Sequence, residues 1–360
     1  MFDVCKPWII LVSVRVRISS SVAAELAHYL DVLRRQAGNT TLKMPAVKEV
    51  SNVPAGMDIP VIFLDSADYR YEYNGYSWRI GSDRVEIYGE SRRGLCNGVF
   101  DFLANLGIQW DDPDKEILPK PQADRTGIYS VDSLSAYCPS SEHISRRRAL
   151  VIKSKLSIKK QEKLLCWAVR NKIDTVIFSL YYAHKALRCK KNPLPFFFKK
   201  VIRLAEEYAF IIEWGGWDMP ILIPRRYYLF KPDMFRMDQG KRIKDCNFCP
   251  SSPEAIALIS KRAQKLLRIF PNVEVYHIWA DQGHERNWCS CPSCRAFSIE
   301  EQNRIACITV SDVLSDVNPR AHLCYIETSN EQHNIELRPN MVKLTHFPSK
   351  VGADLWLLTD

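Results

Sequence analysis

From about residue 125 onward, short apolar, β-branched segments alternate with longer segments of helical period, and this order restricts the fold more than any other feature of the chain. The strand patterns fall at 127–134, 174–180, 209–214, 273–280, 322–328 and 341–347, and helical patterns lie between them at 158–171, 195–208, 253–270 and 297–317. Repeated strand–helix units imply parallel strands, because each helix carries the chain back to the edge where the previous strand began. An open doubly wound sheet and a (β/α)8 barrel both satisfy that rule. No Gly-x-Gly-x-x-Gly turn follows a strand, which disfavours the dinucleotide-binding version. A closed barrel needs eight strands over about 200–250 residues. Here six strand patterns are legible, and the sequence stops inside the apolar run Leu355-Trp356-Leu357-Leu358. The expectation is an α/β chain whose (β/α)8-type, TIM-like barrel looks C-terminally truncated, with an open sheet as the other reading.

The first 120 residues have a different rhythm. A strand pattern at 7–16 precedes a helix in which Val22, Leu26, Leu30 and Leu33 share a face. A second strand at 60–64 is followed by a hairpin about Gly81-Ser82-Asp83 and a helix with Leu95, Val99, Phe102, Leu103 and Leu106 on one side, stopped by Gly107. This predicts a small α+β domain over 1–122 and the incomplete barrel over 123–360.

Hydrophobic residues make up 46% of the chain and charged residues 25%, which excludes a disordered or collagen-like polymer. No apolar run approaches the ~18 residues of a membrane span, and no signal-peptide pattern is evident, so the expected setting is cytoplasmic with no membrane partner. The net charge of +9 is concentrated: residues 141–200 hold sixteen Lys or Arg against three acids. Such a cluster either forms a solvated helix face or attracts an anion. With no nucleic-acid-binding module in the sequence, a nucleic-acid partner is disfavoured.

In a βα barrel, chemistry gathers where strands end and loops begin. One strand pattern closes with Glu213-Trp214-Gly215-Gly216-Trp217-Asp218, the next with His277-Ile278-Trp279-Ala280-Asp281-Gln282-Gly283-His284, and the one after with Tyr325-Ile326-Glu327-Thr328. Carboxylate pairs are the usual apparatus of glycoside hydrolysis, and indole faces stack on the C–H faces of a pyranose. Asp281, Glu213 and Glu327 are therefore the candidate catalytic acids. Trp214, Trp217, Trp279, His277 and His284 are the candidate sugar contacts. The structural alternatives are a buried aromatic pair beside a tight turn and acids that are merely solvated loop residues.

Five of the twelve cysteines are grouped as Cys246-x-x-Cys249 and Cys289-x-Cys291-x-x-Cys294. Thiolates at such spacing can converge on a structural zinc; a local disulfide and reduced thiols are the other readings. No cofactor is expected to be needed for catalysis.

Several segments together resemble a bacterial family known chiefly as a domain of unknown function. They are Val85-Glu86-Ile87-Tyr88-Gly89, Gly98 to Leu103, Leu106 to Trp110, Trp167 to Lys172, Glu213-Trp214-Gly215-Gly216, Trp279-Ala280-Asp281 and Trp288 to Cys294. The resemblance implies a front domain similar to the N-terminal domain of α-glucuronidases joined to a glycoside-hydrolase-like barrel. It carries Asp281 and Glu213 over as site candidates, with the cysteine string ordering a loop. Trp217 stands where the family pattern has a His. The function so implied is hydrolysis of a complex or acidic glycan; the alternative is a degenerate, non-catalytic carbohydrate-binding relative.

Overall fold

In the computed structural model, helical period and burial agree along the first helix: Val22, Leu26, Leu30 and Leu33 have no exposed surface. The residues described are 2–14, 20–51, 59–67, 74–121, 128–129, 131, 133–139, 148–152, 156–181, 196–270, 273–281, 288–326, 335–344, 349–350 and 355–358. Residues 1–147, 157–174 and 200–211 form one compact unit, and residues 148–156, 175–199 and 212–360 form another.

The first unit runs β1 (Phe2–Asp3), β2 (Ile9–Ser13), α1 (Ser20–Gln36), β3 (Ala46–Val50), β4 (Val61–Ser66), β5 (Tyr76–Ile80), β6 (Arg84–Gly89) and α2 (Arg92–Asn105). It continues through the ribbon β7 (Gln109–Asp112) and β8 (Lys115–Ile117), then β9 (Ile128–Tyr129) and β10 (Ser135–Cys138). Its main sheet has the order β10-β5-β6-β4-β2-β3. The β5–β6 hairpin is antiparallel as the Gly81 turn predicts, while β2, β3, β4 and β6 pair in parallel. Ser91 caps α2 by accepting from the Arg93 and Gly94 amides. Gly107, at φ +91°, ends the segment in the left-handed region.

The segment 127–134, expected to open the barrel, does not do so. β9 pairs with β1, and β10 adds to the first sheet through β5. The second sheet starts instead at β11 (Ala149–Ile152), four apolar residues buried on both faces. Flanking Arg146-Arg147-Arg148 and Lys153 mask this strand in the sequence, because their charge reads as a solvated stretch. Part of the basic region, 141–147, 153–155 and 182–195, lies outside the described residues.

The chain then passes through α3 (Ile158–Arg170), β12 (Thr175–Phe178), α4 (Phe196–Glu207) and β13 (Ile211–Gly216). The long connection that follows holds three 3-10 turns and the ribbon β14 (Met237–Asp238) with β15 (Lys241–Arg242). After it come α5 (Pro253–Leu267), β16 (Val275–Ile278), α6 (Ile299–Val317), β17 (His322–Ile326), β18 (Met341–Leu344), β19 (Ser349–Lys350) and β20 (Leu355–Leu358). Sheet order is β18-β17-β16-β13-β12-β11-β20-β19. The pairs β11–β12, β13–β16, β16–β17 and β17–β18 are parallel.

A doubly wound sheet reverses its strand order at a switch point. Here β11, β12, β13, β16, β17 and β18 lie side by side in chain order without reversal, the progression of a barrel wall. β20 pairs antiparallel with β11, and β19 with β20. The terminal strands β18 and β19 are not neighbours, so no barrel closes among the described residues. Ala149, Val151, Ile177, Trp279 and Ile326 form one buried cluster, with Trp217 and Leu344 packed on it. Side chains from six successive strands or their ends thus meet on one face, as in the interior of a barrel wall. No described helix is long and apolar enough to cross a membrane.

Candidate functional site

Glu213 and Trp214 are neighbours on β13, so their side chains leave opposite faces of the sheet. Trp214 is buried and stacks on Phe270, ring centroids 3.7 Å apart, with Phe178 and Phe198 at its edges. It is a core side chain in this structure and does not join the other indoles expected at the site. Glu213 points the other way. Its Oε2 lies 2.6 Å from His277 Nε2, and both residues are buried. Burial alone lowers the pKa of the imidazole, but the neighbouring Cys324 sulfur and the Glu213 carboxylate outweigh it and raise it to about 10. The imidazole is thus held in its charged form at neutral pH, and its hydrogen bond to Glu213 is charge-assisted.

The Gly-Gly sequence makes this approach possible. Gly215 has φ +132°, and a Cβ there would lie 1.5 Å from the His277 carbonyl oxygen. Any other residue would push β13 off β16. The ladder Trp214–Tyr276, Gly215–His277, Gly216–Ile278 continues past both strands, with the Trp279 amide donating to the Gly216 carbonyl at 2.8 Å.

His277 and Trp279 are two residues apart and share a face. Trp279, 1% exposed, meets Trp217 edge-on at 4.9 Å and His277 at 5.4 Å. Trp217 is half-buried and forms the outer layer over Trp279. Trp279 Nε1 is buried without a hydrogen-bond partner among the described residues, while His277 also meets the Cys324 sulfur. An orphaned buried polar atom carries a desolvation cost, and its place on this face favours a polar occupant.

Asp281 is half-buried just beyond β16. Asn247, fully buried, clasps its backbone: Asn247 Nδ2 donates to the Asp281 carbonyl and the Asp281 amide donates to Asn247 Oδ1, both at 3.1 Å. Arg225 is held by the Cys246 carbonyl. Burial lowers its pKa, while Cys246, Asp245 and Asp281 oppose that shift. Sequence reasoning assigns no role to Asn247 or Arg225, and it reads Asp218 only as the second carboxylate of the strand-end segment Glu213 to Asp218, a partner for sugar hydroxyls. Asp218 is buried; its Oδ1 accepts from Ser179 Oγ at 2.8 Å and its Oδ2 from the Leu180 amide at 2.6 Å. Burial pushes its carboxyl up to about 6. It ties the segment after β12 to that after β13. Glu327 and His284 lie outside the described residues.

Four of the five grouped cysteines converge. The sulfurs of Cys249, Cys289, Cys291 and Cys294 all lie within 4.8 Å of one another and are buried. Cys249 Sγ is 3.7 Å from Cys291 Sγ and 3.6 Å from Cys294 Sγ, far beyond the ~2.05 Å of a disulfide. Cys246 stands apart from the set and donates to Asp245 Oδ1 at 3.4 Å. Its turn of loop points the thiol at its own neighbour, so the expectation of five converging cysteines is corrected to four.

Parallel strands laid side by side in chain order are the fold that comparison with solved structures also finds, in glycoside hydrolases of the GH20 type. The chain is similar to a Flavobacterium johnsoniae chitobiase, with a TM-score of 0.57 and 13% identity over 95% of this chain and 52% of that one. A β-N-acetylhexosaminidase from Bacteroides fragilis gives a TM-score of 0.55 and 12% identity over 94% and 66%. A GH20 exo-β-N-acetylglucosaminidase from Vibrio harveyi, in complex with N-acetylglucosamine, gives 0.53 and 14% over 95% and 54%. At these identities the likeness is one of fold. The chain spans about half to two thirds of the length of these neighbours. No protein-family model and no curated protein sequence matches it.

Proposed function

We propose that this is a carbohydrate-active protein, a glycoside hydrolase that seats a sugar on Trp217 at the ends of β13 and β16 and cleaves its glycosidic bond by carboxylate acid–base chemistry. The observation that carries the reading is the buried Glu213–His277 pair beside the orphaned Trp279 Nε1, on the face where Trp217 offers a ring. Asp281 is the carboxyl at the strand end that can deliver a proton to the leaving oxygen. Glu213, held in place by its hydrogen bond to His277, is the proposed acid facing the positive charge that develops on the sugar, and Glu327 is the proposed third acid. Trp217, Trp279, His277 and His284 are the proposed sugar contacts, and Trp214 leaves that set because it lies in the core. The chemistry requires no cofactor.

A glycan carrying a carboxylate suits the site best. Arg225 keeps Nη1 without a hydrogen-bond partner among the described residues, while Asp281 acts on it electrostatically; a guanidinium can grip a uronate through two parallel bonds. The resemblance to α-glucuronidases in the front domain belongs to the same reading.

The test is turnover of a panel of chromogenic glycosides, starting with β-N-acetylhexosaminides and uronides. Asp281→Asn should lower the rate about 100-fold or more with unchanged circular dichroism; undiminished turnover by that variant refutes the assignment. A second reading, binding without hydrolysis, is favoured by one fact: Glu213 is 7% exposed and already engaged by His277. Calorimetric binding of a glycan with no released product would select it. Equal affinity for a uronide and its neutral parent would remove the acidic-glycan refinement.

A further inference from the structure

The cysteine cluster lies outside the proposed chemistry, and its geometry has its own meaning. A tetrahedral zinc ion with Zn–S bonds of about 2.3 Å requires sulfurs about 3.8 Å apart. Cys249 approaches Cys294 and Cys291 to 3.6 and 3.7 Å, and no pair in the set exceeds 4.8 Å. Four buried thiols gathered this closely, and not bonded as disulfides, have no apolar reason to converge: each would pack as well against an aliphatic side chain.

The surroundings are built for sulfurs that accept hydrogen bonds. The Met237 amide donates to Cys289 Sγ at 3.2 Å, and the Arg242 guanidinium lies 3.6 Å from the same sulfur. Ser251 Oγ is 3.0 Å from Cys294 Sγ. Gln302, on α6, holds the backbone of the loop by accepting from the Cys289 amide and donating to the Cys289 and Cys294 carbonyls. Orientation of the ligand-bearing loop by such outer partners is characteristic of a metal site.

We propose that Cys249, Cys289, Cys291 and Cys294 bind one Zn²⁺ in a closed tetrathiolate centre that cross-ties the loop before α5 to the loop before α6. Four protein ligands leave no open position, so the ion is structural. Its placement gives it a particular task. The loop that supplies Cys249 also supplies Asn247, whose side chain clasps Asp281, and Cys246, whose carbonyl holds Arg225. The centre therefore anchors the short segment on which both of those residues depend.

Metal analysis of the full-length protein, purified without added metal, should find about one zinc per chain. Cys246→Ser should retain it, and Cys291→Ser or Cys249→Ser should lose it. Folded protein with four freely alkylated thiols and no metal would overturn the proposal, as would iron in place of zinc or loss of zinc in Cys246→Ser. Should the ligand variants fail to fold, the wild-type chain decides. After exchange with Co²⁺ it should show the visible and thiolate charge-transfer bands of a tetrahedral tetrathiolate site, and their absence refutes the centre. Chelation of the wild-type ion should also raise hydrogen exchange in residues 245–252 and 288–295, whereas exchange unchanged there would reject the cross-tie. None of these readouts depends on whether the protein cleaves a sugar.

Discussion

A charged imidazole inside a protein is costly unless a carboxylate meets it, and His277 is met by Glu213 at 2.6 Å. The sign of the resulting pH dependence follows from the folded pKa of about 10 against 6.5 for an unperturbed His. A raised folded pKa stabilises fully below pH 6.5, and the contribution is lost as pH rises towards 10. Urea unfolding should therefore show the wild type weakening across that window, with His277→Gln much flatter. Glu213→Gln leaves the imidazole without its counter-charge and should cost about 3–5 kcal/mol at pH 7. The two β13-end tryptophans separate by environment. Trp214→Ala opens a cavity beside Phe270 and should cost about 3–5 kcal/mol of stability while the folded fraction keeps its sugar affinity. Trp217→Ala should do the reverse, which paired unfolding and calorimetric titrations would read directly.

Among elements, the contact of β13 with β16 is the one the site depends on, and Gly215 sets how closely they meet. Gly215→Ala would drive a methyl group into the His277 carbonyl, which neither backbone can yield without breaking the ladder. The expected outcome is insoluble protein or a melting temperature lowered by well over 10 °C, a shift of several kcal/mol. Gly38, also at positive φ (+82°) but with nothing within 4 Å of where an alanine methyl would sit, is the control. Gly38→Ala should cost only the backbone strain, about 1 kcal/mol. Equal effects from the two substitutions would show that φ, not the close approach, governs Gly215.

At the scale of the molecule, the first unit is discontinuous in sequence, and Arg93 shows why. Its fully buried guanidinium reaches Asp174 at 3.2 Å, the Tyr208 carbonyl at 3.3 Å and the Ile173 carbonyl, with the Phe210 ring 4.8 Å from its centre. A fragment ending at residue 122 would leave that charge buried and unpaired. Such a fragment should show no cooperative thermal transition, and Arg93→Met in the full chain should cost less than Arg93 stranded by Asp174→Ala, because removing a charge is cheaper than orphaning it. The sequence alone determined what depends on near neighbours: the helices at 158–171, 195–208, 253–270 and 297–317, the Gly81 hairpin and the run of parallel strands all follow from periodicity and turn chemistry over a few residues. It misjudged β11 because four apolar residues between basic clusters carry too little local signal. Only the tertiary structure decided that Glu213 pairs with His277 while Trp214 turns into the core, and that Cys246 stands apart from the four converging sulfurs. Those outcomes rest on strand register and loop path between segments about 40 to 60 residues apart, and a shift of one residue in register would exchange every inward side chain for its neighbour.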